Sequence, residues 1–145
     1  MKRATAIAAA ILIAAPLAAC AEPTGGDSEP ETADTNSAAC ADFQENYADI
    51  IVDLVVGAGN RTPEEWRADI AGKAATFDTI SLAAEGEVAD RIDAVATGFP
   101  AEPYTILLSD HRTEYKQFGE NTQRVARACE AEGNDMDIPE IRYGF

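Results

Sequence analysis

Apolar residues recur at helical spacing through most of the chain. Cys40, Phe43, Tyr47, Ile50 and Leu54 follow one another at steps of three and four, which places them on one stripe of a first helix that ends at Gly57 and Gly59. Thr62-Pro63-Glu64-Glu65 then reads as a helix start: Thr62 caps, Pro63 takes the first helical position, and Glu65 completes a capping box. Beyond it Trp66, Ile70, Ala74, Phe77, Ile80, Ala84, Val88, Ile92, Val95 and Phe99 keep one phase. Two readings of this run stay open. The unbroken phase favours a single long helix weakened at Gly86, and a break at Gly86 gives two helices in its place. Pro100 and Pro103 force a non-helical passage, Ser109-Asp110 reads as the next cap, and the last stripe is Leu108, His111, Tyr115, Phe118, Thr122, Val125 and Cys129. The expected fold is all-α, an antiparallel bundle of three helices, or four with the Gly86 break.

The two ends of the chain depart from this pattern. Lys2 and Arg3 precede an apolar run from Ala6 to Ala15 that is too short to span a bilayer, and small residues follow up to Cys20. This is the layout of a secretory signal peptide, residues 1–19. Residues 21–38 carry Glu22, Asp27, Glu29, Glu31 and Asp34 with two prolines, two glycines and no basic or large apolar residue, so residues 20–38 are expected to form a disordered acidic linker. The helical domain is then expected at residues 39–133. The tail, residues 134–145, holds Ile138, Ile141, Tyr143 and Phe145, which are expected to dock on the bundle or meet a partner.

Charge narrows the possible partners. The 145 residues carry a formal net charge of −15, and removal of residues 1–19 deletes two basic groups and no acidic one, leaving −17. Nucleic acid and anionic lipid surfaces would repel such a domain, so no nucleic-acid partner is expected. Asp42, Glu45, Asp49 and Asp53 on the first helix, and Glu85, Glu87, Asp90 and Asp93 later, read as solvated faces, since no calcium-loop spacing accompanies them.

Leu17-Ala18-Ala19-Cys20 resembles the lipobox of bacterial lipoproteins, with leucine three residues ahead of the cysteine and alanines between. That resemblance implies a diacylglyceryl thioether on Cys20, cleavage just before it, and a mature protein tethered to the cell membrane on its extracytoplasmic face. With its acidic spacer and two further cysteines, the chain resembles the small, mostly uncharacterised helical lipoproteins of actinobacteria. In an exported protein the remaining pair, Cys40 and Cys129, reads as a disulfide, which over a loop of about 90 residues would stabilise the fold by about 4–5 kcal/mol on the chain-entropy model.

Little chemistry remains to assign. His111 is the only histidine, no glycine-flanked serine elbow accompanies it, and the sequence designates no catalytic residue and no cofactor. The leading expectation is a non-catalytic binding or interaction module of the cell envelope with a protein partner. The alternative is a small-ligand carrier for haem or metal built on His111 and Tyr115, four residues apart on one helix face.

Overall fold

The computed structural model describes residues 30–103 and 112–138. Four helices account for nearly all of them: α1 (Pro30–Val56), α2 (Pro63–Ala83), α3 (Gly86–Thr97) and α4 (Arg112–Ala131). α1 closes where the Gly57 N–H donates to the Asp53 carbonyl (2.9 Å). The capping box at the head of α2 forms as the sequence predicts: the Glu65 N–H donates to Thr62 Oγ1 (3.2 Å) and the Thr62 N–H to Glu65 Oε2 (2.8 Å). The helices run alternately up and down. α1 packs on α2 and α4, and α3 packs on α2 and α4.

The expected apolar stripes form the core. Cys40, Phe43, Tyr47, Ile50, Leu54, Ile70, Phe77, Ile80, Ala84, Val88, Ile92, Val95, Tyr115, Phe118, Val125 and Cys129 are buried, with Trp66 and Phe99 partly buried against them. Five rings close a circuit through the bundle. Phe43 meets Phe77 at 5.1 Å between centroids, Phe77 meets Phe99 at 6.4 Å, Phe99 meets Phe118 edge-on at 5.3 Å, Phe118 meets Tyr47 at 6.0 Å, and Tyr47 meets Phe43 at 6.2 Å. Such spacings are within the range in which ring pairs attract beyond simple burial. Burial pushes the Tyr47 hydroxyl up to about 12, against a hydrogen bond with Thr122 that acts the other way.

The structure decides between three helices and four. The run from Trp66 to Phe99 is not continuous: Ala84 (φ −89°, ψ 167°) and Glu85 (φ −127°, ψ 155°) are extended, and Gly86 sits at φ +58°, a left-handed conformation costly for any residue with a Cβ. The stripe nevertheless keeps phase, because Ile80, Ala84, Val88 and Ile92 all face the same core when the chain reverses there. α3 folds back along α2, bringing Phe99 to Phe77. At the far end of α3 the packing is close. A Cβ on Gly98 would stand 2.9 Å from the Ala94 carbonyl oxygen and 3.1 Å from Asn121 Nδ2, which donates to that carbonyl (3.0 Å).

The packed region also begins earlier than residue 39. α1 starts at Pro30, and Asn36, expected within a disordered linker, is 1% exposed. Its Oδ1 accepts from the Glu85 N–H (2.8 Å), and its Nδ2 donates to the Glu85 carbonyl (3.4 Å) and to Glu132 Oε2 (2.7 Å). One polar side chain thus serves the backbone groups that the helix break releases, which explains why a sequence with no large apolar residue is held there. The lipobox, Cys20 and the linker up to residue 29 lie outside the described residues, as do the Ser109-Asp110 cap and Leu108.

Candidate functional site

The two cysteines assigned to a staple form one. Cys40 of α1 and Cys129 of α4 are disulfide-bonded, with Cα atoms 6.0 Å apart and 89 residues between them in sequence. Both are almost wholly buried, so the bond belongs to the framework and offers no exposed redox chemistry.

Of the pair expected to serve a carrier, Tyr115 is described and His111 lies outside the described residues. Tyr115 is 1% exposed, and its hydroxyl donates to the Glu102 carbonyl at 2.6 Å. That bond ties α4 to the passage after α3, where Pro100 and Pro103 are also buried. The phenol is therefore turned into the fold and already partnered. Among the described residues no group of three or more His, Cys, Asp or Glu side chains stands close enough to hold a metal ion. Nor is any helix among them long and apolar enough to cross a membrane.

The acidic groups divide in two. Asp42, Glu45, Asp49, Glu87, Asp90 and Asp93 are exposed, as expected for solvated faces. Asp53 is not. Its carboxylate, 13% exposed, accepts from Arg61 Nη2 (2.7 Å) and from Lys73 Nζ, while Asp69 takes Arg61 Nη1 (2.8 Å) and faces Lys73 (3.4 Å). The Trp66 indole N–H adds a bond to the Asp53 carbonyl (3.1 Å). The Arg61 hydrogen bond first, and the Lys73 bond second, hold the Asp53 carboxyl down to about 2 against the opposing effect of its partial burial. With two acids and two bases this knot is locally neutral, and it clasps the α1–α2 turn. The spacing of Asp53 on the outer row of α1 gave no sign of it, because Arg61 reaches back from a turn that sequence periodicity does not place.

What remains unaccounted for on the surface is apolar. Val52, Val55 and Val56, near the end of α1, are 59, 71 and 68% exposed. They are neighbours on the helix at steps of three, four and one, so three branched side chains share one exposed patch. Scattered single apolar residues on a surface need no explanation, whereas three branched side chains side by side form a contiguous apolar group in contact with water. Nearer the start of α1 an open cleft of about 630 Å³ runs between the helix, at Ser37, Cys40, Ala41, Gln44 and Ala48, and the irregular stretch Gly133–Met136 that follows α4. The Asp137 N–H donates across it to Gln44 Oε1 (3.2 Å), and Met136 and Ile138 pack on the core. The expected docking of the tail is thus seen for Ile138, while Ile141, Tyr143 and Phe145 lie outside the described residues.

No protein-family model, curated protein or solved structure matches this chain.

Proposed function

We propose that this chain is a lipoprotein anchored through Cys20 to the cell membrane on its extracytoplasmic face, and that its helical domain works there as a non-catalytic interaction module of the envelope. The observation that carries the reading is the valine patch of α1, a surface that water alone does not favour. The disulfide fits an oxidising compartment, and the lipobox supplies the anchor. Such a patch suits a partner presenting an apolar surface, and the net negative charge of the chain disfavours polyanions.

Two measurements test the two halves of the reading. Cys20→Ser is expected to release the chain from the membrane fraction or stall its processing, and a cleaved, membrane-bound variant would overturn the anchor. In intact envelopes treated with a crosslinker, the wild-type chain is expected to give a discrete adduct that Val52→Glu with Val55→Glu abolishes. An adduct that survives both changes would overturn the valine patch as the docking surface.

A further inference from the structure

The exposed valines stand on the ridge of α1 opposite its buried stripe, and the same ridge carries Asp42, Glu45 and Asp49, exposed as well. Asp42, Glu45, Asp49, Val52 and Val56 follow at steps of three, four, three and four, so carboxylates over two turns give way to valines over the last. Helix α1 contains no Lys or Arg. Among the described residues these three carboxylates enter no ion pair, while Asp53 and Asp69 are bound to Arg61 and Lys73.

The patch is continuous with a groove. Val55, Val52, Asp49 and Asn46 form one row at steps of three, and the last two line a cleft of about 350 Å³ between α1 and α2, together with Asp42, Glu45, Thr76 and Thr79. From Val55 to Asn46 is nine residues of helix, about 14 Å along the axis. An occupant seated by an apolar end on the valines therefore has its next residues over carboxylates and hydroxyls. A second copy of the chain presenting this face would set valines on valines but also carboxylates beside carboxylates, because the helix has no cation to offer. An anionic lipid surface meets the same repulsion. A polypeptide whose apolar end is followed by Lys or Arg matches both halves: apolar contact supplies the anchor, and the charges set its direction and the choice of partner.

We infer that the valine patch and the acidic groove beside it form one surface for a cationic polypeptide segment, with an apolar end on Val52, Val55 and Val56 and Lys or Arg side chains against Asp49, Glu45 and Asp42. This rests on the reading of the valine patch as an interaction surface, and adds the chemistry of the partner.

The probe is a fluorescent peptide with Leu-Leu-Phe at one end and three lysines alternating with serines after it, titrated into the full chain carrying Cys20→Ser. Its counterpart has glutamates in place of the lysines. Saturable binding of the lysine peptide alone is expected, weakened about tenfold by Asp42→Asn with Glu45→Gln and Asp49→Asn, weakened also by added salt, and abolished by Val52→Asn with Val55→Asn. All five positions are exposed, and circular dichroism checks that the variants keep the fold. No binding of the lysine peptide, or equal binding of the two peptides, overturns the cationic partner. If the valine changes abolish binding while the three neutral ones leave it unaltered, this proposal falls and the reading of the patch as a docking surface survives. Valine-dependent binding to phosphatidylcholine vesicles, or a valine-dependent dimer in sedimentation, without preference between the peptides, overturns it in favour of lipid or of a second copy.

Discussion

Asn36 and Glu85 bind each other through a reciprocal pair of hydrogen bonds, the Glu85 N–H to Asn36 Oδ1 and Asn36 Nδ2 to the Glu85 carbonyl, across 49 residues of sequence. Because the same amide also reaches Glu132, one side chain joins the start of α1, the α2–α3 break and the end of α4. Asn36→Ala leaves the Glu85 backbone groups without that partner and removes the side chain buried at the junction. The expected cost is about 2 kcal/mol, or about 10 °C in melting temperature, followed by circular dichroism. An unchanged melting temperature would show that the junction is held by the neighbouring apolar contacts alone.

Acid should loosen the α1–α2 turn through Asp53. Its folded-state pKa of about 2 lies below its ordinary value of 3.8, so the carboxylate stabilises the fold fully above about pH 4 and loses that contribution as the pH falls from about 4 to about 2. Asp53→Asn is expected to lower stability by about 1–2 kcal/mol near neutral pH, and the gap between variant and wild type should close across that window. Denaturant melts at several pH values measure it. A gap independent of pH would mean that Asp53 acts through shape rather than charge.

Reduction of Cys40–Cys129 frees a loop of 89 residues. Replacing both cysteines by alanine is expected to destabilise the domain by about 4–5 kcal/mol on the chain-entropy model, with the helical spectrum at low temperature largely retained. Thermal melts with and without reductant check the wild-type chain in the same way.

Two glycines at opposite ends of α3 should respond differently to alanine. At Gly86 a Cβ meets nothing within 4 Å, so the expected cost of about 1 kcal/mol is conformational alone. At Gly98 the backbone is not left-handed, but the added Cβ meets Ala94 and Asn121, so the Asn121 bond must give way. A double change of Gly98→Ala with Asn121→Ala is expected to be less damaging than the sum of the single ones, which a mutant cycle reads directly.

The apolar periodicity located the core nearly residue for residue, because burial in a bundle is what a spacing of three and four records. It left the choice at Ala84–Gly86 open for the same reason. Phase survives a reversal when both helices face one core, and the break was signalled only by Gly86. Asn36 was invisible because its ordering comes from backbone groups at residue 85, and composition near residue 36 reports nothing about those. Asp53 was misplaced among solvated acids because its partners arrive from a turn. Val52, Val55 and Val56 lie off the stripe of Cys40, Phe43, Tyr47, Ile50 and Leu54, and their exposure follows only once the helix is packed.

The position of the disulfide governs how the molecule bears tension. A pull arriving along the chain from the Cys20 side reaches Cys40, crosses the sulfur bridge to Cys129 and leaves through the residues after it. Residues 41–128 stand off that line of force. A domain built in this way can be tugged at both ends while only the first turns of α1 and the stretch after α4 give, and the aromatic circuit inside keeps its shape.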